Sequence, residues 1–361
     1  MPSTIRAAVC RAFNAPLTIE TLTLRDPGPG EVAVKIDAVA ICHSDISLAE
    51  GAWGGDLPAV YGHEAAGHIT ELGPNVRGYQ VGQPVLVTLI RSCANCPSCA
   101  VNQPVYCTGN PPLVPVLTDE TGAVVHKSMD TGAFAEKVIV DPSQIAPLGD
   151  AVPTTVASVL ACGVLTGVGA VVNTAQVRPG ESVAVIGAGG VGLNVIQGAR
   201  LTGAARIIAV DLEPTKLDDA RAFGATDTVL ATAPDPWQTV HTITGGRGAD
   251  HVFVSVGAVS AYEAAPRMLG MRGKMYAVGM THAGATAQYE PVMQSYLGHT
   301  IKGSRMGEVV LKRDIPWMLD LYAQKRLMLD ELISKTWQLE EINMAIAETK
   351  SGRARRNVIV F

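Results

Sequence analysis

The sequence predicts an α/β protein, with a doubly wound parallel sheet in the second half of the chain and a β-rich domain in the first. Three observations predict it. Hydrophobic residues make up 47% of the 361 positions and charged ones 17%, with a mean hydropathy of +0.22, enough to bury a large core and to exclude intrinsic disorder. Glycine is abundant at 37 residues while aromatics reach only 5%, a balance suited to tight turns and to parallel strands covered on both faces. From about residue 180, short apolar strands alternate with stretches of helical length, which is the rhythm of βαβ units.

Along the first ~150 residues, about one domain's length, short Val/Ile/Ala runs at 31–39, 66–72 and 85–89 read as strands. Asp26-Pro27-Gly28-Pro29-Gly30 and Leu72-Gly73-Pro74-Asn75 break them, as turn residues do. In the second half the strands are 182–186, 206–210, 227–230, 251–256 and 274–278, with helices at 191–201, 216–223 and 261–269 between them. A helix at 311–324, another around 340–350 and a last strand at 357–361 follow Gly307.

The run 151–177 carries no charged residue and is long enough to span a membrane. Pro153, Gly163, Gly167, Gly169, Asn173 and four threonines interrupt it, so it is expected as a buried helix and turn. Lys plus Arg total 28 against 33 for Asp plus Glu, a net charge of −5. Without a basic stripe, neither a nucleic-acid nor an anionic-membrane partner is expected. The first ten residues place Arg6 early and lack a long apolar stretch, so a cytoplasmic protein is the expectation.

Residues 182–192 read SVAVIGAGGVG, an apolar strand running into Gly187-x-Gly189-x-x-Gly192 at the mouth of a helix. A carboxylate, Asp211, follows about 20 residues on, at the end of the next strand. Gly187 permits a tight turn, Gly189 lets the backbone approach a pyrophosphate, and Gly192 lets the helix pack closely. The N–H groups at the helix start, around Gly190 and Val191, then face the phosphates. Asp211 accepts hydrogen bonds from both adenosine ribose hydroxyls and repels a 2′-phosphate, so the expected cofactor is NAD rather than NADP.

Of the seven cysteines, four form Cys93-x2-Cys96-x2-Cys99-x7-Cys107, a spacing that lets four thiolates close tetrahedrally on one Zn²⁺. Such a site has no open position and acts as a structural staple. Cys42 opens Cys42-His43-Ser44-Asp45, and Gly62-His63-Glu64 follows. Two thiolates and an imidazole make a neutral zinc site with a vacant corner, the ligand set that general zinc chemistry assigns to alcohol dehydrogenase. There Zn²⁺ lowers the pKa of a bound alcohol. Spacing alone does not bring Cys42, His63 and Cys162 together, and Cys162 reads equally as a buried core thiol. Cys10, at the edge of an apolar run, is expected in the core.

Together these motifs resemble the zinc-dependent medium-chain alcohol dehydrogenase family, closest to its class III-related and aryl alcohol branches. Ala161-Cys162-Gly163 with Thr166-Gly167 completes the family's order along essentially the whole chain. The resemblance implies a GroES-like barrel domain split in sequence, residues 1–163 with 305–361, around a Rossmann domain at 164–304. It implies Cys42, His63 and Cys162 as catalytic zinc ligands, hence two zinc ions per chain, one catalytic and one structural. Asp45 and Glu64 resemble carboxylates that orient the imidazole or adjust the zinc. Ser44 resembles the hydroxyl that takes the substrate proton, and His43 the contact to the cofactor pyrophosphate. Thr166 and Lys216 resemble further cofactor contacts, Lys216 beside the adenosine ribose, while Arg356 is expected to reach the pyrophosphate.

Ser47 stands where many members carry a relay histidine, so the proton is expected to leave through ribose hydroxyls and water. Residues 110–131 form a loop of intermediate length. Trp53, Leu89, Phe134, Met280 and Arg305 align with the substrate pocket, the first, second and fourth making an apolar slot and Arg305 a candidate for an anionic group. The resemblance implies hydride transfer between a primary aliphatic or aryl alcohol/aldehyde pair and NAD(H). An S-hydroxymethyl-thiol dehydrogenase is the alternative within the class. A zinc-free quinone reductase-like or non-catalytic relative is the alternative outside it, one that would have lost the cysteines. A homodimer is expected first and a tetramer second, through the strand at 300–307.

Overall fold

The computed structural model describes residues 2–149 and 152–361; Met1, Asp150 and Ala151, the last being the start of the uncharged run, lie outside the described residues. The chain divides into two compact units, residues 1–163 with 310–361 and residues 164–309. The second boundary falls five residues beyond the expected one. The turn Met306–Glu308 stays with the second unit because Asn173 Nδ2 donates to the Gly307 carbonyl at 3.2 Å. A Cβ on Gly169 would sit only 2.6 Å from that same oxygen.

In the first unit, strands Ser3–Cys10, Thr18–Leu24, Leu117–Thr118, Val124–Lys127 and Ala59–Val60 close a five-stranded barrel. The expected loop at 110–131 is therefore in part a β-hairpin that completes the barrel. Its turn is built by Asp119, whose Oδ1 accepts from the N–H groups of Thr121 and Ala123. A second sheet runs Ile145–Pro147, Pro84–Val87, Glu64–Leu72, Val32–Ala40, Arg356–Val360 and Ile333–Gln338, with Lys137–Val140 also pairing Val32–Ala40. Val32–Ala40 is buried along nearly its whole length, as a strand crowded by three partners must be. The C-terminal strand lies antiparallel to it, with Val358 opposite Ala40, and Asn357 accepts the Ile41 N–H at 2.9 Å. This pairing carries Arg356 to the point where the chain leaves the sheet toward Cys42.

The second unit is a six-stranded parallel sheet in the order Asp227–Leu230, Arg206–Asp211, Ser182–Ile186, Ala249–Val254, Leu269–Ala277, Thr300–Gly303. In chain order that is 3-2-1-4-5-6, the doubly wound arrangement, whose ligands bind at the strands' carboxyl ends where the winding reverses. Every residue of Ser182–Ile186 is buried, which fits a central strand covered on both faces. Helices Gly190–Leu201, Pro214–Phe223 and Val259–Met268 supply cover.

The uncharged run becomes a helix at Thr154–Ser158, a 3₁₀ turn at Val159–Ala161, a helix at Gly163–Gly169 and a π-helical turn at Ala170–Ala175. Val159 through Leu165, Val168, Ala170 and Val171 are buried within the fold. Among the described residues no single helix is long and apolar enough to cross a membrane.

Candidate active site

Three loops of the first unit build the metal-ligand cluster. Cys42 caps the helix His43–Ala49 just after the strand Val32–Ala40. His63 precedes the strand Glu64–Leu72, and Cys162 sits in the break between Val159–Ala161 and the helix Gly163–Gly169. One donor atom each from Cys42, His63, Glu64 and Cys162 lies within 4.8 Å of the other three. The burial is nearly complete, from 0% exposed for His63 and Glu64 to 7% for Cys162.

Asp45 organises the cluster. Its Oδ1 faces His63 Nδ1 at 2.9 Å and accepts the Gly62 N–H at 2.9 Å, and its Oδ2 accepts the Cys42 N–H at 3.1 Å. A carboxylate only accepts, so Nδ1 carries a proton, and in the neutral ring Nε2 presents its lone pair. That Nε2 is buried without any hydrogen-bond partner. Ser44 Oγ lies 3.0 Å from Cys42 Sγ, which sets a hydroxyl at the ligand sphere, while His43 is exposed on the first helical turn.

The buried groups of this cluster perturb one another strongly. The Cys162 thiol against Cys42 holds Cys42 well below the ordinary thiol value, with His63 adding to the effect. The same contact pushes Cys162 well up. Burial opposes charge on His63, but Asp45 and then Cys42 outweigh it and raise its pKa well above the usual value. Burial pushes the Glu64 carboxyl up to about 8 against the pull of Arg356. Two thiols and an unpartnered imidazole nitrogen, enclosed and mutually close, are the donor set that Zn²⁺ takes, so the residues present fit the metal.

The four-cysteine group fits a second ion. Cys93, Cys96, Cys99 and Cys107 bring their sulfurs within 4.8 Å of one another. The Asn95 and Cys96 N–H groups point at Cys93 Sγ at 3.4 and 3.3 Å, and the Cys93 N–H at Cys107 Sγ at 3.2 Å. Backbone donors pull the Cys96 thiol down to about 5, Cys99 N–H first and Thr108 N–H next. Donors of this kind favour thiolate. A Cβ on Gly109 would come within 2.6 Å of Cys93 Sγ, so the loop needs glycine there.

The second unit carries the nucleotide fingerprint. Gly187 turns at φ +93, and a Cβ there would collide with Val256, which confines this turn to glycine. Beside Gly189 nothing lies within 4 Å of the Cβ position, and a Cβ on Gly192 would overlap the Gly187 carbonyl. Asp211, ending Arg206–Asp211, accepts the Ala188 N–H on Oδ2 at 2.6 Å and the Glu213 N–H on Oδ1 at 3.1 Å. That leaves a fixed carboxylate beside an open backbone cradle. Thr166 is buried with Oγ1 at 3.6 Å from Met306 Sδ, and Lys216 lies in the first turn of Pro214–Phe223.

Two expected site residues have their neighbours within the first unit. Arg356 is only 5% exposed, and its Nη2 lies 3.6 Å from Glu64 Oε1 in the first unit, so its nearest anion is the metal-site carboxylate. Phe134 is fully buried in the barrel core, which makes it packing behind Gly62 and leaves no face open to a substrate. Trp53 and Leu89 are half-buried in the first unit, and Met280 and Arg305 are exposed in the second. Cys10 is in the core. The pairing of Glu64 with Arg356, and the room Gly163 makes for it, were not read from the sequence. The glycine directly after Cys162 was the available signal.

Comparison with known proteins agrees with this construction. The chain matches the family model for the alcohol dehydrogenase GroES-like domain over residues 28–150 and that for zinc-binding dehydrogenase over residues 190–324. It is 34% identical to an alcohol dehydrogenase class-3 of Cereibacter sphaeroides, across 99% of each chain. It is also 34% identical to an S-(hydroxymethyl)glutathione dehydrogenase of Synechocystis sp., again across 99% of each. The solved structure of benzyl alcohol dehydrogenase from Acinetobacter calcoaceticus matches with a TM-score of 0.93 and 31% identity over 99% of both chains. With the fold, both cysteine clusters and these similarities in agreement, the chain belongs to the zinc-dependent medium-chain alcohol dehydrogenase family and is an oxidoreductase of that class.

Proposed function

We propose that the enzyme oxidises a primary aliphatic or aryl alcohol with NAD⁺, giving the aldehyde, NADH and a proton, and catalyses the reverse reaction. The convergence of Cys42, His63 and Cys162, with His63 Nε2 buried and unpartnered, carries this reading. Bound by these three, Zn²⁺ supplies the Lewis acidity that lets an alcohol lose its proton near neutral pH. NAD supplies the hydride acceptor, a chemistry that belongs to the cofactor.

The remaining work falls to the chain. Asp45 fixes the tautomer and aim of His63, as hydrogen-bonded partners of metal ligands do. Ser44, 3.0 Å from the Cys42 sulfur, is assigned to accept the substrate proton, and Ser47, in place of a histidine, offers a hydroxyl and no imidazole beyond it. The start of Gly190–Leu201 offers its N–H groups to the pyrophosphate, with His43 as the assigned cationic or polar contact and Thr166 and Lys216 as further contacts. Asp211 retains lone pairs for the ribose hydroxyls after its two backbone bonds, and its charge disfavours a 2′-phosphate. Trp53, Leu89 and Met280 are assigned to the apolar substrate slot, and Arg305 to an anionic substituent where the substrate has one.

Thr300–Gly303 is the outer strand of its sheet with all four residues exposed. Val292, Met293 and Tyr296 on the neighbouring helix Pro291–Leu297 are exposed as well. We assign this edge to subunit pairing, a dimer ahead of a tetramer. Thiols that must stay reduced to hold metal favour a cytoplasmic setting.

A spectrophotometric screen that follows NADH across aliphatic, aryl and thiol-adduct alcohols tests the assignment. Turnover of benzylic and aliphatic alcohols with NAD⁺ is expected. Turnover confined to S-hydroxymethyl thiols would move the assignment to that alternative, and turnover retained in Cys42→Ala would refute the ligand role.

A further inference from the structure

We propose that Arg356 is a positioning residue that holds the Glu64 carboxylate off the catalytic metal and thereby keeps the fourth coordination position open to substrate. The proposal rests on Cys42, His63 and Cys162 being the ligands of one ion. Glu64 follows His63 directly, and one of its carboxylate oxygens is within the same 4.8 Å as the two sulfurs and the ring nitrogen. Four protein donors close a tetrahedral zinc site, whereas catalysis needs a vacancy, so an adjacent carboxylate with nothing to restrain it would fill that vacancy. No hydrogen bond restrains it: both Glu64 oxygens are buried and unpartnered.

The opposing pull comes from the C-terminal strand. Arg356 Nη2 lies 3.6 Å from Glu64 Oε1, with the two side chains 5% and 0% exposed. The guanidinium stays charged across the accessible pH range. Its backbone is anchored, because the next residue, Asn357, accepts the Ile41 N–H at 2.9 Å one position before Cys42. Access to Glu64 depends on Gly163. A Cβ at Gly163 would overlap Arg356 Nη2, so the residue beside ligand Cys162 must have no side chain for the guanidinium to reach its place. Ligand and notch are thus consecutive in the chain, and the strand that returns from the far end of the sequence fills the notch.

The test uses the full enzyme with Co²⁺ replacing zinc and imidazole as a neutral exogenous ligand. In the wild type, imidazole shifts the visible spectrum of the ion at Cys42, His63 and Cys162, while the closed four-cysteine ion is silent. In Arg356→Met, imidazole binding is expected to weaken by about 10-fold or more, the scale on which partners outside the ligand sphere act. Cobalt release to a chelator is expected to be no faster than in the wild type. Adding Glu64→Gln restores imidazole binding, and Arg356→Lys keeps most of it. Gly163→Ala, which displaces the guanidinium without removing it, reproduces the Arg356→Met defect and is likewise rescued by Glu64→Gln. The retained four-cysteine cobalt spectrum verifies the fold in each variant. Wild-type imidazole affinity in Arg356→Met, faster loss of the catalytic ion, or no rescue by Glu64→Gln would each overturn the proposal. A wild type that takes up only the four-cysteine ion would instead overturn the site assignment itself.

Discussion

Replacing Asp45 with Asn tests how the His63 ligand is made. Three donors converge on this 2%-exposed carboxylate: His63 Nδ1–H and the Gly62 N–H on one oxygen, the Cys42 N–H on the other. Asparagine keeps one acceptor and turns the other oxygen into an NH₂. With the amide nitrogen toward Cys42, one buried N–H loses its partner at a cost of about 1–3 kcal/mol, and the Nδ1–H faces a neutral acceptor. With the nitrogen toward His63, it donates to Nδ1, the proton moves to Nε2, and the imidazole ceases to be a ligand. The milder orientation sets the expected effect. Loss of a carboxylate behind a histidine ligand weakens metal binding by about 10–100-fold, equivalent to about 1.4–2.7 kcal/mol. Chelator competition followed by a colorimetric zinc indicator should therefore resolve two classes of ion, one released 10–100 times more readily than in the wild type and one, in the four-cysteine site, unchanged. Both ions retained as in the wild type would refute the orienting role, and both lost together would show that Asp45 supports the fold instead.

Three further outcomes follow from the geometry. Asp211→Ala removes the charge beside the Gly187–Gly192 turn, and the ratio of kcat/KM for NADP to that for NAD should rise by about tenfold or more; an unchanged ratio would remove Asp211 from cofactor selection. Gly192→Ala drives a Cβ into the Gly187 carbonyl, so dinucleotide binding measured by NADH fluorescence should be lost, together with about 1–3 kcal/mol of stability in the second unit. Glu31 is held bidentately by Arg25 at 2.6 and 2.8 Å and accepts the Gly28 N–H at 2.7 Å. Burial pushes its carboxyl up, but these contacts outweigh burial and leave it below the unfolded value of 4.5. A folded pKa below the unfolded one stabilises above the unfolded value and is lost as pH falls through the folded value. The melting-temperature difference between wild type and Glu31→Gln should therefore be largest near neutral pH and shrink as the pH is lowered below about 4.5; a difference that grows on acidification would contradict the assignment.

The legible parts of this chain were those where a function demands particular residues at short spacing. The glycine turn and Asp211 announced the parallel sheet because a phosphate needs bare backbone, and Cys93 to Cys107 announced a metal because four sulfurs lie on one loop. Cys42, His63 and Cys162 were legible only through the family resemblance, since nothing in their spacing shows that three loops meet. The hairpin Leu117–Thr118 and Val124–Lys127 has no strand signature in the sequence and reads as loop. Each strand is very short and is stable as part of a closed barrel, where tertiary pairing decides what local pattern cannot. Phe134 aligned with a pocket, yet its environment is set by the barrel core around Gly62. Arg356 matches a phosphate contact by motif, and its second neighbour, the buried Glu64 carboxyl, was not legible because it lies nearly 300 residues earlier in the sequence. The boundary at 305 moved because Gly169 and Gly307 pack backbone to backbone, a contact that leaves no hydrophobic signature.

On this reading Cys42, His63 and Cys162 hold one ion apart from the four-cysteine ion. Metal analysis of the purified wild type beside Cys162→Ser tests it most directly. About two zinc ions per chain are expected in the wild type and about one in the variant, with the melting temperature of the four-cysteine-bearing fold largely kept. Equal zinc content in the two proteins, or a wild type holding a single ion, would contradict it.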